Sequence, residues 1–401
     1  MFKKNISIFL LKFPYISCLI LSFFIKRHKS EKRHSVRIFV LDEFRFREDI
    51  NILKEMTDIE YINFPNILQD KINGIILHSG TNNNKHLSKF IKYFCNMYKS
   101  SGFMSAGMYY RRHELWEIAA LSANKSFFCL HREGVGVDYN SLKNNFQQLF
   151  NSARKFKGTM LFVATHSLKK FLVDNNYYKN NEVVVTGVPR FDKIYNNSQR
   201  TNTNNKILVF FSFFLGTLES DELYPKHGGF RDFFYSVHGV IANYALNNPE
   251  VKVYIKPKWY TGDAKMYIDS AISKAVTSNI SDIKNLYITD KIPAHDLITK
   301  ASTIVSFNST TLVESMLYGK KVIMPKYFEA SKNYNKNVYY SDYPNVFYYP
   351  DSPDSLLDVI DNCINDTLPS KDIDFNFVKD VAGSFDGLIC NRIESQIKKY
   401  I

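Results

Sequence analysis

Four short stretches of the 401-residue chain carry side chains able to handle an anionic, hydroxyl-rich substrate. The densest is Ser306-Phe-Asn-Ser-Thr-Thr-Leu-Val-Glu314, continuing through Ser315-Met-Leu-Tyr-Gly-Lys-Lys-Val-Ile-Met-Pro325. An apolar run ends there and hydroxyls gather where a helix would begin. Helix N-termini present unpaired N–H groups and a positive dipole end, which suits a diphosphate. Ser309, Thr310 and Thr311 add side-chain donors beside Asn308, and Glu314 could accept from ribose hydroxyls. The competing reading is a plain capping box, Thr311-x-x-Glu314, which needs no ligand. Lys256-Pro-Lys258 follows another apolar run, and its two cations could meet phosphates, or could be solvated surface lysines. After a third run, a nucleobase could pack on Ile292 next to His295, or His295 could be an ordinary surface histidine. In the first half, His131-Arg-Glu-Gly134 offers two bases (His131, Glu133), a cation (Arg132) and a flexible glycine (Gly134). Activating a hydroxyl calls for a base tuned near neutral pH; alternatively, Arg132 and Glu133 simply pair with each other. Thr186-Gly-Val-Pro-Arg-Phe-Asp192, which includes Arg190, reads first as a structural turn.

The elements that must position these residues are short apolar strands alternating with helical stretches, which implies βαβ units and parallel sheets. Strands are expected at Val36–Leu41, Ser126–His131, Met160–Thr165 and Glu182–Gly187, with a further apolar run at Asn73–His78. Leu87, Phe90, Ile91, Phe94 and Met97 have helical spacing. A polar break, Asn196–Asn205, is the expected linker, and the pattern then restarts. Lys206–Phe211, Val251–Lys256, Asn285–Thr289, Thr303–Ser306 and Lys321–Pro325 read as strands, and Asp232–Ala245 as a helix. The expected organisation is a basic apolar segment (1–35), two Rossmann-like α/β domains (36–200 and 201–380), and a C-terminal helix (381–401) packing back on the first. Ligands in open parallel sheets sit beyond the carboxyl ends of the strands. Each polar cluster above lies just past such an end.

Composition narrows the function classes. Hydrophobic residues make up 45% of the chain, enough for two cores, so disorder is excluded. The net charge of +13 is uneven: nine Lys or Arg fall between Met1 and Arg37 against one acid, Glu31. Beside them Ile6–Ile25 carries only Lys12 as a charge. A basic apolar segment fits an anionic lipid surface. It is expected to anchor the chain, peripherally or monotopically, on the cytoplasmic face of the inner or plasma membrane; a spanning signal-anchor and a buried helix are the alternatives. Nucleic-acid binding is not expected, because the rest of the charge is thinly spread and no such motif occurs. The five cysteines form no CxxC pair and are expected to be reduced packing residues. Walker A, GxGxxG, GxSxG and HExxH patterns are absent, and the one Asp-x-Asp, Asp372-Ile-Asp374, is far from any strand end. No metal and no cofactor are therefore expected.

Together, Val185–Asp192, Lys256–Lys258, the run from Ile292 to Pro325, and Asp386-Gly387 with Arg392 resemble the GT-B glycosyltransferases of bacterial surfaces. The capsule, lipopolysaccharide and teichoic-acid enzymes, including CDP-glycerol glycerophosphotransferases, are the nearest relatives on these motifs. The tail departs, with Leu388-Ile-Cys390 where small polar residues follow Asp-Gly in that family. The resemblance implies two Rossmann-like domains facing each other across a cleft, with the donor nucleotide on the second and the acceptor on the first. It implies a nucleotide-sugar donor and a glycan or lipid-linked acceptor. Ser309, Thr310, Thr311, Lys256 and Lys258 would then hold phosphate. Glu314 would hold ribose, Ile292 and His295 the base, and His131 or Glu133 would take the proton. Arg132, Gly134, Asn308 and Arg190 would support them. Three other readings share the pattern: a non-hydrolysing UDP-sugar 2-epimerase, a glycerophosphate transferase, and a non-catalytic scaffold of a polysaccharide assembly complex.

Overall fold

The computed structural model describes residues 36–401 apart from 67, 71, 74–82, 134, 144–150, 152–153, 198–204, 214–229, 278, 332–337, 341–342 and 370. The apolar N-terminal segment 1–35, most of the run Asn73–His78 and the heart of the expected linker lie outside the described residues. Among the described residues, no helix is long and apolar enough to cross a membrane. The chain divides into two compact α/β units. Unit 1 comprises 1–135, 147–193 and 383–401, and unit 2 comprises 136–146 and 194–382.

Unit 1 is built on a six-stranded parallel sheet of order β2-β1-β3-β4-β5-β6. Its strands are β1 (Val36–Val40), β2 (Ile59–Asn63), β3 (Gly102–Ser105), β4 (Ser126–His131), β5 (Met160–Val163) and β6 (Val183–Val185). Continuous burial along β3, β4 and β5 explains why their sequences are apolar without alternation, since helices cover both faces of such a sheet. The helices are α1 (Arg47–Met56), α2 (Asn83–Tyr98), α3 (Glu114–Ser122) and α4 (His166–Asp174). Phe39, Phe64, Phe94, Phe103 and Trp116 form one aromatic cluster between the sheet and α2 and α3. The sheet contains β2 and β3, which the apolar-run reading does not foresee. β2 is an edge strand whose burial alternates, and β3 is only four residues long and opens on Gly102, where a Cβ would lie 2.0 Å from the Ser126 carbonyl oxygen.

Helix α5 (Arg190–Asn197) carries the chain into unit 2, a five-stranded parallel sheet of order β11-β10-β7-β8-β9. These are β7 (Ile207–Phe211), β8 (Lys252–Lys256), β9 (Leu286–Ile288), β10 (Thr303–Ser306) and β11 (Lys321–Ile323). Its helices are α6 (Arg231–Asn247), α7 (Gly262–Ala275), α8 (Ala294–Lys300), α9 (Thr310–Leu317), α10 (Pro353–Ile364) and α11 (Phe375–Val381). The chain leaves β7 toward β8 and β9, then returns to place β10 on the other side of β7. That reversal is a topological switch point, where open α/β sheets part at their carboxyl ends.

The final helix, α12 (Ile389–Lys399), belongs to unit 1. Its own N-cap, Leu388, has no capping side chain. The buried Asp192 carboxylate takes that part, accepting from the backbone N–H of Ile389 (3.0 Å) and Cys390 (2.7 Å). Arg392 pairs with Asp386 and donates to the Thr186 carbonyl, and Gly187, at φ 89, leaves room for the Ile389 side chain. The Thr186–Asp192 turn and the Asp386–Arg392 tail are thus two halves of one clamp.

Candidate functional site

At the switch point of unit 2, Lys256 and Ser306 both register against Phe211, one from each side. At about 4.8 Å per strand, their Cα atoms are brought roughly 10 Å apart on one sheet edge. Beyond Ser306, Asn308 adopts the left-handed conformation (φ 47) and its Oδ1 accepts from the Tyr339 N–H (2.9 Å). This sharp turn aims the chain into α9. Ser309 is the N-cap, and its Oγ accepts from the Thr311 N–H (3.3 Å) and from the Thr311 hydroxyl (2.9 Å). The Ser306 hydroxyl meets Thr311 at 3.2 Å, so three hydroxyls form one chain at the helix mouth. The capping box Thr311-x-x-Glu314 does not form: with Ser309 capping, Glu314 lies in the second turn and not at its third residue.

Lys256 donates to the carbonyls of Pro257 (2.9 Å) and Asp290 (3.2 Å), which employs two of its three N–H groups. Burial lowers its pKa, against the opposing pull of Asp290. Lys258 is exposed, with its ammonium 5.1 Å from the Trp259 ring centroid. His295 is bonded to Tyr318 at the end of α9 (Nδ1 to hydroxyl, 3.1 Å), and Ile292 is half-buried in the turn after β9. One residue past β7, the Ser212 hydroxyl is 2.8 Å from His238 Nε2. Because His238 Nδ1 must donate to the Phe234 carbonyl (2.7 Å), Nε2 is the acceptor. Burial lowers this imidazole's pKa to about 4, so it stays neutral. Gly136 (φ 77) also belongs to this unit; a Cβ there would lie 2.3 Å from the Tyr340 hydroxyl, which is 3.5 Å from the Ser309 carbonyl.

In unit 1 the residues after β4 take different places. His131 is buried at the strand end and its Nδ1 accepts weakly from the Met108 N–H (3.5 Å), which puts the remaining proton on Nε2. Burial, then the neighbouring Arg132, lowers its pKa to about 3. Such an imidazole is a neutral donor and not a base poised near pH 7. Glu133 is exposed on the following turn and Arg132 is half-buried, while Gly134 lies outside the described residues. Arg190 is bound to the buried Asp49 carboxylate through its backbone N–H (3.3 Å) and guanidinium (3.5 Å), a role within the fold of unit 1. Among the described residues, no three His, Cys, Asp or Glu side chains are grouped to hold a metal ion.

The sequence reading missed a second polar cluster at the carboxyl end of β1, made by Asp42, Gln69, Arg112 and His113. The signal was present in the Asp that directly follows the first apolar run, but its partners come about 30 and 70 residues later.

No family model matches the sequence, and no curated protein matches it. Solved structures do. A UDP-GlcNAc 2-epimerase from Methanocaldococcus jannaschii aligns over 91% of this chain and 99% of its own, with a TM-score of 0.54 at 11% identity. A glycosyltransferase from Rickettsia africae aligns over 92% and 99%, with a TM-score of 0.52 at 12% identity. A UDP-GlcNAc 2-epimerase from Neisseria meningitidis, solved with UDP-GlcNAc bound, aligns over 91% and 100%, with a TM-score of 0.52 at 11% identity. At these identities the likeness is one of fold: the chain has two parallel α/β sheets arranged along the sequence as in glycosyltransferase and sugar-nucleotide epimerase structures.

Proposed function

We propose that this chain is a GT-B-type glycosyltransferase that moves a sugar from a nucleotide-sugar donor to a surface-polysaccharide acceptor, one carried on a lipid. The observation that carries the reading is the edge of unit 2. There Lys256 and the hydroxyl chain Ser306–Thr311–Ser309 flank β7 at the switch point, at the N-terminus of α9. A diphosphate placed there meets N–H groups, hydroxyls and cations. These stabilise the charge that develops on the departing nucleotide without calling on a metal. In this reading Ser309, Thr310, Thr311, Lys256 and Lys258 bind the diphosphate. Glu314 binds ribose, and Ile292 with His295 forms the base contact. Unit 1 supplies the acceptor groups: Glu133 takes the hydroxyl proton, and His131 donates a hydrogen bond through Nε2. The basic segment 1–35 would hold the enzyme at the cytoplasmic face of an anionic membrane.

The test is thermal stability of the purified chain with UDP-, CMP-, GDP- and CDP-linked compounds. A ligand at 100 times its dissociation constant adds about 2.7 kcal/mol. One nucleotide class should stabilise the protein, and Lys256→Ala and Glu314→Ala should abolish that response. No response to millimolar nucleotide in folded protein would sink the proposal in favour of a scaffold. Conversion of a UDP-sugar without any acceptor would replace transfer by epimerisation.

A further inference from the structure

Helix α2 of unit 1 carries charge of one sign. Asn83–Tyr98 contains Lys85, Lys89 and Lys92 but no Asp or Glu, and Lys99 follows directly in the left-handed conformation (φ 52). Every other described helix of eight residues or more contains an acid. Spacings of four and three place Lys85, Lys89, Lys92 and Asn96 on one stripe, roughly 16 Å long. All four are exposed, as is Lys99. Among the described residues, none of these lysines has an acidic partner. Tyr93, 49% exposed, stands beside the stripe. The opposite side of the helix, with Leu87, Phe90, Ile91, Phe94 and Cys95, is buried in unit 1. That apolar side is committed to the core, so α2 offers a partner its row of cations and not an inserting wedge.

The position of α2 decides which polyanion fits. β1 begins at Val36, so the basic apolar segment 1–35 joins unit 1 at the amino end of that strand. The last turn of α2 ends at the same corner. Arg37 Nη1 donates to the Tyr98 carbonyl (3.1 Å), and the Arg37 carbonyl accepts from the Ser100 hydroxyl (3.0 Å) and the Ser101 N–H (2.9 Å). A nucleic acid would meet the lysines but has no use for an apolar neighbour. An anionic bilayer takes both, and an exposed tyrosine suits its headgroup level. We infer that the exposed face of α2 is a membrane-docking surface, with Lys85, Lys89, Lys92 and Lys99 against anionic lipid headgroups. Because the sheet is parallel, α2 runs from the carboxyl ends of its strands to their amino ends. A bilayer lying along α2 therefore also passes the carboxyl ends of unit 1. The inference rests on the charge and placement of this helix and needs no particular reaction.

The test is co-sedimentation of the 401-residue protein with vesicles of phosphatidylcholine, with and without phosphatidylserine. The protein should bind the anionic vesicles, and binding should weaken as salt is raised. A lysine near such a surface contributes about fivefold. Replacing Lys85, Lys89 and Lys92 together by Gln, at exposed positions, should therefore weaken binding by about tenfold or more. Replacing Lys252, Lys284 and Lys300 by Gln removes the same charge from exposed positions of unit 2 and should change binding by less than about twofold. A second readout is local: acetic anhydride labelling read by mass spectrometry should show Lys89 and Lys92 protected by anionic vesicles and Lys252 not. Three results would overturn the assignment. They are no binding to anionic vesicles, α2 lysines labelled equally with and without them, and an α2 triple variant that binds like its parent. The last two would leave segment 1–35 as the whole anchor. Binding to duplex DNA in place of vesicles would reassign the face to nucleic acid.

Discussion

Removing the Asp192 carboxylate should release α12 from unit 1. The carboxylate is fully buried and accepts from the first two amides of the helix, at 3.0 and 2.7 Å, from a residue about two hundred positions earlier. A hydrogen bond to a charged group contributes about 1.5–3 kcal/mol, and a buried N–H left unmatched costs about 1–3 kcal/mol. The negative charge also sits at the positive end of the helix dipole, worth up to about 2 kcal/mol in buried geometry. These contributions overlap, and Arg392 holds the helix independently through the Thr186 carbonyl (3.2 Å), so Asp192→Ala should cost about 3–5 kcal/mol. Asp192→Asn retains one acceptor oxygen and should cost about 1–2 kcal/mol. Hydrogen exchange read by mass spectrometry on peptides within 389–400 measures this locally. At about 1.4 kcal/mol per factor of ten, protection should fall by roughly 10²- to 4 × 10³-fold in the Ala variant and about tenfold in the Asn variant. Peptides from α6 and α7 should not change. If Asp192→Ala keeps the protection of α12 within about threefold of the parent, the clamp is not what holds the helix, and the reasoning fails.

Three further outcomes follow from buried groups. His131 and His238 have pKa values lowered to about 3 and about 4, whereas the unfolded chain protonates them near pH 6.5. The unfolded state therefore takes up protons first, and stability should fall as pH drops from about 6.5 toward 4, at up to about 1.4 kcal/mol per pH unit for each imidazole. Urea titrations at stepped pH should show a flatter slope in His238→Asn. Glu117 binds Arg154 through both oxygens, with both side chains buried, so Glu117→Gln should cost about 3–5 kcal/mol by chemical denaturation. Gly383 has φ 87, and a Cβ there would lie 1.8 Å from the Ala164 carbonyl oxygen, a backbone atom. Gly383→Ala should therefore destabilise unit 1 by about 2–4 kcal/mol in the same assay.

What could be read from the sequence follows from how each element is buried. β4, β5, β7 and β10 are interior strands covered on both faces, so they announce themselves as unbroken apolar runs. β2 sits at an edge and mixes Glu60 and Asn63 with Ile59 and Tyr61, and such a five-residue alternation is too short to stand out. β3 is invisible for another reason: a glycine demanded by the close approach of β4 stands where a β-former would signal a strand. The hydroxyl-rich mouth of α9 was legible because helix starts are local features. Its capping register was not, since Ser309 and Thr311 are both good caps and only the left-handed turn at Asn308 decides between them. Asp42 and the Arg112-His113 pair could not have been linked by sequence alone. Their meeting depends on β1 and β3 being neighbours, a pairing visible only once β2 has been placed outside them.

The division of the chain also sets an order of assembly. Unit 1 includes Gly383–Ile401, which are synthesised only after all of unit 2 has been made. At roughly 5–20 residues per second, the Asp192 carboxylate waits on the order of 10–40 seconds after its own synthesis for the amides it will bind. During that interval the Asp192 carboxylate lacks these two donors, and the first sheet is held by its strands and earlier helices alone. Unit 2 can close meanwhile, because its segments are complete by Ala382. The second-made unit is thus free to mature first, while unit 1 is completed only when Gly383–Ile401 have followed it.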